Sequence, residues 1–414
     1  MKTTRRNFLR LGGIAAGAAA FRIAPEGMLG CRAPSGRIAL GIVGLGGMGL
    51  SHLDAFLAME DVEVAAVCDV RASKILEANA RVKASRGRTC VSFSDYRLLC
   101  ACPGLDAVVV ATPDHSHAAV GIEAARNGKD IYGEIPFSHT LEDGRALADA
   151  VAAGGRLWFS GNGLLSQPAF RQTAAWVRNG GLGSVARAEV GLPGGGRGPV
   201  SSGAPLAPPA GLNWAAWLGD APACDYRGIC DFHWRWVSAW GGGSLMDGIG
   251  RYGDVALWGL GRESDGPVRI EGTGEFPSDG VYDTATAFSF RCFFRDGLEL
   301  AVSDGGRMAS GVGVRWIGRN GEWVWISRGA CETSSPELKR EIFGADGVPA
   351  FEGSEHRRAF VACVRTRKAS ASTSAEAAHR AATLGHLGLL AMRAGQPVGF
   401  DPRTEAFSRA SVRA

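Results

Sequence analysis

The hexapeptide Gly44-Leu45-Gly46-Gly47-Met48-Gly49 follows directly on an apolar run at 38–43 and opens a helical pattern. Glycines at this spacing leave little freedom in what the chain builds there. Gly44 permits a tight turn between strand and helix, Gly46 lets the backbone approach a pyrophosphate, and Gly49 lets the helix pack closely on the strand. The start of that helix, at Gly47 and Met48, offers phosphates unpaired N–H groups and the positive end of its dipole. With 60 glycines among 414 residues, the motif needs a second mark. Asp69 supplies it, ending the next apolar run (62–68) at the distance at which an acid holds both ribose hydroxyls and repels a 2′-phosphate. NAD is therefore favoured over NADP, although Arg71 is placed to reach such a phosphate.

Around this turn, apolar runs at 38–43, 62–68, 107–111 and 131–132 alternate with helical patterns near 50–59, 72–83, 117–127 and 141–153. Such alternation predicts a parallel sheet with helices on both faces, an α/β Rossmann domain over 37–160. Later runs at 185–191, 268–272, 285–294, 298–302, 314–317 and 323–326 read as strands, with Asn320-Gly321 a hairpin turn. Thr373-Ser374-Ala375-Glu376 reads as a capping box opening a long last helix. Residues 193–211, rich in Gly, Pro, Ser and Ala, read either as a mobile loop near the site or as a spacer.

The net charge of +4 comes from the first 30 residues, where Lys2, Arg5, Arg6, Arg10 and Arg22 face one acid, Glu26. The remainder is balanced, which argues against a nucleic-acid or membrane-surface partner. Arg5-Arg6-Asn7-Phe8-Leu9, followed by a weakly apolar stretch at 11–21, resembles a twin-arginine (Tat) export signal. That stretch is too short to span a bilayer. Residues 1–36 then form signal and linker, and a periplasmic or secreted location is expected. Met28-Leu29-Gly30-Cys31 faintly resembles a lipoprotein cleavage site, but Arg22 and Glu26 separate it from the apolar run. The ten cysteines share no repeating spacing and no Cys-x-x-Cys, so no metal is expected. Cys68, Cys292, Cys100 and Cys102 read as core packing, and which pairs would oxidise in a periplasm is open.

Further motifs follow the runs. They are Ala111-Thr112-Pro113-Asp114-His115-Ser116-His117, Gly133-Glu134-Ile135-Pro136, Trp214-Ala215-Ala216-Trp217-Leu218-Gly219, Gly241-Gly242-Gly243-Ser244-Leu245-Met246-Asp247 and the segment 375–386. In this order they resemble the glucose–fructose oxidoreductase / inositol dehydrogenase / rhizopine-catabolism (Gfo/Idh/MocA) family over residues 37–400. The resemblance implies a second, α+β domain over 161–400 with an open, mostly antiparallel sheet, and leaves 401–414 as a C-terminal tail. Its helices cover one face; the other serves substrate or a subunit contact, so a homo-oligomer through that sheet is expected. It also implies an NAD site that includes Thr112, Pro113, His117 and Glu134, and a sugar or polyol substrate.

The catalytic positions depart from the family. Ile135 stands where the family carries Lys in Glu-Lys-Pro. Arg251 stands where it carries His in D-x-x-x-H, while Asp247 is kept. Isoleucine cannot hydrogen-bond and arginine stays protonated. Asp247 and Arg251, four residues apart, share a helix face, with Asp254 one turn further. They read either as a structural ion pair or as a rebuilt site. In the rebuilt site Asp247 is the base, Arg251 orients hydroxyls, Tyr252 is a proton donor or acceptor, and Glu134 lies beside the nicotinamide or its ribose. In Asp231-Phe232-His233-Trp234-Arg235-Trp236, strand alternation puts Phe232, Trp234 and Trp236 in the core and turns His233 and Arg235 to the site. Asn162, after a run at 158–161, falls near the cofactor edge. The candidate substrate contacts are thus Asn162, His233, Arg235 and Arg251, whereas His356, His379 and His386 are expected to pack or face solvent. Three functions fit. The first is an NAD(P)-dependent oxidoreductase acting on a sugar, polyol or glycoside with an altered site. The second is an NAD-dependent glycosidase using transient oxidation and elimination, and the third a sugar- and NAD-binding protein without turnover.

Overall fold

The computed structural model describes residues 31, 34, 36–195, 204–229, 233–345, 347–349, 351, 356–368 and 374–409. The twin-arginine segment, most of the Gly/Pro-rich stretch's centre, Phe232 and Thr373 lie outside these residues. The first sheet contains β1 (Ile38–Val43), β2 (Val62–Cys68), β3 (Val91–Phe93), β4 (Ala107–Val110), β5 (Asp130–Gly133) and β6 (Trp158–Ser160). Their order is β3-β2-β1-β4-β5-β6, with every pair parallel. Both faces are covered, so β1, β2, β4 and β5 are buried throughout, which is why they read as continuous apolar runs. The strand order reverses between β1 and β4, the place where such sheets bind ligands.

Two glycines set the turn after β1. Gly44 has φ +88°, and a Cβ on it would come within 2.6 Å of the Ala111 carbonyl oxygen. A Cβ on Gly49 would lie 1.8 Å from the Gly44 carbonyl oxygen, so any side chain there pushes the helix Gly47–Leu57 off the strand.

The second sheet contains β7 (Val185–Leu192), β8 (Arg269–Glu275), β9 (Ala287–Phe293), β10 (Glu299–Asp304), β11 (Gly313–Gly318), β12 (Trp323–Ser327), β13 (Ala330–Thr333), β14 (Val398–Asp401) and β15 (Ala406–Arg409). Their order is β13-β12-β11-β7-β10-β9-β8-β14-β15, antiparallel except for the pair β7 and β10. Gly321, with φ +86°, makes the expected hairpin turn between β11 and β12. The segment read as a tail from 401 is instead the turn of an edge hairpin and its last strand, β15, which pairs with β14. The helix Ala375–Ala394 packs on β8, β9 and the helix Leu141–Ala153, joining the two sheets. Its N-cap is Ser374, whose side chain accepts from the Ala377 N–H. Glu376 is not the capping partner; it pairs with Arg145 and Arg380.

Two contacts of distant segments were not legible in the sequence. The helix His356–Thr366 returns to the first sheet, where Phe360, Val361 and Cys363 join the core formed by Leu40, Val64, Val109, Tyr132 and Phe159. Cys102, read as packing, forms a disulfide with Cys31. Cys68, Cys100 and Cys292 are buried thiols, as expected, and burial pushes their pKa values up.

The segment Gly243–Leu260 is α-helical at both ends with a π-helical turn, Ile249–Gly253, between them. Asn162 holds this widened turn. Its Nδ2 donates to the Arg251 carbonyl (3.0 Å) and to Asp254 Oδ2 (2.9 Å), and its Oδ1 accepts from the Leu164 N–H (3.1 Å). Asn162 is therefore a buried structural amide and not a substrate contact. The π turn also breaks the expected alignment, because it turns Asp254 inward, away from Asp247 and Arg251. Burial pushes the Asp254 carboxyl up to about 7, against the lowering effect of the Asn162 hydrogen bond.

Two outcomes are expected. Gly49→Ala should lower Tm, with an overpacking cost of about 1–3 kcal/mol; an unchanged melting curve would contradict the close approach. Asp254 keeps its proton in the folded chain to about pH 7, whereas the unfolded carboxyl loses it near pH ~3.9. Its contribution to stability therefore falls as pH rises across that window. Thermal melts from acid to alkaline pH should show Asp254→Asn losing less Tm than the parent; parallel curves would refute the assignment.

Candidate active site

The best-defined polar device in the first domain is centred on Glu134, which follows β5. This carboxylate is 9% exposed, and its Oε1 accepts from His52 Nε2 at 2.7 Å. His52, on the helix that the glycine turn opens, is fully buried. Its Nδ1 accepts from Arg357 Nε at 2.8 Å, so the imidazole proton resides on Nε2, facing Glu134. Burial pushes the Glu134 carboxyl up, but the His52 hydrogen bond and the Arg251 charge outweigh it and leave the group below its ordinary value. The glycine turn, β5 and the helix His356–Thr366 thus meet in one buried chain of hydrogen bonds.

Glu134 borders a cavity of about 320 Å³ that also touches Met48, Gly161, Gly163, Gln167, Arg251, Arg328, Phe351 and His356. Met48, Glu134 and Gly161 place it at the C-terminal ends of β1, β5 and β6, the ligand-binding end of such a sheet. His356, expected only to pack or face solvent, is part of this wall. Its Nδ1 lies 2.7 Å from the Tyr132 hydroxyl, and burial lowers its pKa to about 4. The imidazole is neutral at ordinary pH.

Among the expected catalytic groups, Arg251 reaches the cavity. It also donates to Asp247 Oδ1 at 3.2 Å, so the predicted i,i+4 pair forms. Arg235 approaches the same oxygen at 3.5 Å and the buried Asp114 at 3.8 Å. Asp247 is bracketed by two guanidinium groups and is not among the cavity-lining residues, so the structure makes it an ion-pair anchor for Arg251. Tyr252 is 4% exposed, packs near Phe170 (ring centroids 6.4 Å apart) and is not itself a lining residue, although the Arg328 and Arg251 charges reach its phenol. Its phenol pKa is raised by burial, and it is a core aromatic. Ile135 is buried, and its Cβ lies 3.0 Å from where a Gly250 Cβ would be. The family's lysine position is thus packed shut against the π turn.

His233–Trp236 is a 3-10 turn rather than a strand, so the expected alternation of side chains does not apply. His233 stacks on Tyr282, with its Nδ1 2.6 Å from the hydroxyl, and Arg235 lies over the Trp234 ring at 4.5 Å. Neither His233 nor Arg235 lines the cavity.

The residues around the glycine turn suit a dinucleotide. The helix Gly47–Leu57 has no side-chain N-cap, and a Cβ at Gly46 or Gly47 would meet nothing within 4 Å. Its first-turn N–H groups therefore face open space. The Asp69 carboxylate accepts from the Leu45 N–H (2.7 Å) and the Arg71 N–H (2.8 Å), which fixes it at the mouth of the turn. Burial pushes its pKa up, partly offset by those bonds. Leu212, from the segment before Trp214, bridges to Arg71 and closes the far side of this corner. The Thr112 hydroxyl is buried with no partner, an orphan consistent with a ligand contact. Pro113 caps the helix Asp114–Arg126. His117 behaves otherwise: its nitrogens lie 2.7 Å from the Pro136 carbonyl and 2.8 Å from the Thr112 carbonyl. It ties two turns together, leaving no nitrogen for a cofactor.

His52, Arg357, His356, Gln167 and Arg328 were missed in the sequence. His52 alone carried a usable signal, one turn into the helix that starts at the phosphate-binding turn.

Residues 38–161 match the oxidoreductase family's NAD-binding Rossmann fold, and residues 201–412 match its C-terminal alpha/beta domain. A glycosyl hydrolase family 109 protein of Solibacter usitatus is 32% identical over 152 residues, 34% of this chain and 35% of that protein. The chain spans about a third of the length of the curated relatives it matches. The aldose-aldose oxidoreductase from Caulobacter crescentus, solved with glycerol, superposes with TM-score 0.62 at 19% identity, covering 88% of this chain and 100% of that one. The WlbA dehydrogenase from Bordetella pertussis, solved with NADH and UDP-GlcNAcA, gives TM-score 0.62 at 17% identity, covering 88% and 99%. At these identities the superpositions speak for the fold alone. With both of its domains matched in order, this chain belongs to the Gfo/Idh/MocA oxidoreductase family and carries that family's NAD-binding Rossmann domain.

Proposed function

We propose that the protein uses NAD to oxidise a hydroxyl of a sugar, polyol or glycoside in the cavity beside Glu134. The observation that carries this reading is the ionised, buried Glu134 carboxylate, fixed by His52 at the strand ends between the glycine turn and the cavity. The N–H groups at Gly47 and Met48, the Asp69 carboxylate and the Thr112 hydroxyl would hold NAD, which supplies a hydride acceptor for a carbinol carbon. Glu134 accepts a hydrogen bond from a substrate hydroxyl and so orients it. Arg251, anchored by Asp247, donates to substrate oxygens. With the family's lysine position occupied by Ile135, the proton acceptor in this reading is His356. Its Nδ1 is taken up by the Tyr132 hydroxyl, so Nε2, beside Gly163, is the nitrogen on the cavity side.

A second reading rests on the curated relatives, which are named as glycosyl hydrolases. In it the ring carbinol is oxidised, the adjacent C–H is removed as a proton, the glycosidic bond leaves by elimination, and the hydride returns after water adds. The same side chains serve both readings, and only the balance of products separates them.

The sequence signal and the Cys31–Cys102 disulfide together support export to an oxidising compartment. A second copy of the chain on the free face of the second sheet remains the proposed oligomer contact.

Gly46→Val should melt like the parent, because nothing within the protein opposes a side chain there, yet lose NAD binding in a fluorescence titration. Retained NAD affinity would sink the cofactor assignment. In assays of NADH formation and aglycone release on hexoses, polyols and nitrophenyl glycosides, His356→Asn should cut turnover by about 10²–10⁴-fold while NAD affinity stays within a few-fold. Full activity of that variant would remove His356 from the mechanism. NADH accumulation marks net oxidation, and aglycone release without it marks the redox-neutral path. Converting Arg5 and Arg6 to Lys should hold the protein in the cytoplasm; unchanged delivery to the periplasm would refute the export reading.

A further inference from the structure

We infer that the cavity selects sugars bearing an anionic substituent, a carboxylate or a sulfate ester, with Arg328 and Arg251 as its receptor. The inference rests on reading this cavity as a sugar site and adds the class of sugar. Arg328 sits on the turn between β12 and β13, far in sequence from the π turn that carries Arg251, yet both arginines line the same cavity. Arg328 pairs with no carboxylate among the described residues, unlike Arg251, which shares Asp247 with Arg235. The Nε of Arg251 is buried without a partner.

The helix Pro168–Arg178 adds to the positive side. It begins at the wall, with Gln167 as an N-cap that makes no side-chain capping bond. The first-turn N–H groups and the positive end of the helix dipole are therefore uncompensated there. Against these stands one lining carboxylate, Glu134, already engaged by His52. The other titratable wall residue, His356, is neutral. A neutral sugar offers these two guanidinium groups hydroxyl acceptors but no opposite charge. A planar carboxylate can take a bidentate bond from a guanidinium. The same arginine at 251 replaces the family's histidine, so on this reading the departure reflects a change in substrate.

The test uses the full chain with saturating NAD and calorimetric titration of D-glucuronate and D-galacturonate, their parent hexoses, and the sulfate esters of those hexoses. At least one anionic sugar should bind about ten-fold or more tighter than its parent hexose, as a charge-assisted pair requires. Uronate or sulfate ester preference identifies the anion. Arg328→Gln should erase most of that difference and leave Tm and NAD affinity unchanged, while Arg328→Lys should retain part of it. Equal affinity for neutral and anionic sugars overturns the inference while leaving the sugar-site reading intact. A loss of NAD affinity in Arg328→Gln, with the preference kept, also overturns it by assigning Arg328 to the dinucleotide. If NAD binds but no sugar of either kind does, the sugar-site reading fails and the inference falls with it.

Discussion

The hydrogen bond from His52 to Glu134 is the contact on which the arrangement of this site depends. A carboxylate taken out of water is tolerated only when its charge is paired and its lone pairs are used. Glu134 meets that condition because His52 is held in one tautomer by Arg357. Three segments are thereby fixed to each other: the glycine-turn helix, the end of β5 and the helix that begins at His356. Leaving a buried acceptor without its donor costs about 1–3 kcal/mol, and more for a charged one, so the hydrogen bond constrains the fold as well as the chemistry. It also brings Met48, Glu134 and His356 to one cavity wall.

The two departures from the family pattern are physically connected. Ile135 packs against Gly250, and Gly250 lies in the π turn that carries Arg251. An apolar side chain at 135 fills the space between the turns, where a lysine would bring a cation. Arg251, next to Gly250 in that turn, has its carbonyl held by Asn162 and its guanidinium held by Asp247. The cationic side chain at 251 instead lines the cavity together with Arg328. Both changes remove titratable groups from their usual places, and His356 enters the cavity from a part of the chain that the family motif does not include.

Much of the fold was legible because it rests on local periodicity. The runs at 38–43 and 62–68 became β1 and β2 without change, and Gly44 and Gly49 have the turn and close-packing roles their spacing implied. Where local pattern was weak or misleading, the reading failed for identifiable reasons. Trp234 and Trp236 alternate as in a strand, but a 3-10 turn takes that segment. Tyr252 and Asn162 lie at the expected positions in the chain, yet packing and backbone hydrogen bonds consume them. The two strands at the C-terminus are short, and only pairing along the edge of the second sheet stabilises them.

By itself the sequence determined the parallel nucleotide domain, the preference for NAD through Asp69, and the loss of the usual lysine and histidine. These depend on residues close together in the chain, where spacing fixes geometry. Only the tertiary structure decided the composition of the cavity. Arg357 reaches His52 across 305 positions, and Tyr132 meets His356 across 224. Arg328, on the β12–β13 turn, and Arg251, on the π turn, line one cavity although they stand 77 positions apart in the chain. No periodicity records such contacts, because they arise when buried polar groups find partners as the two sheets pack, and the partner can come from anywhere along the chain.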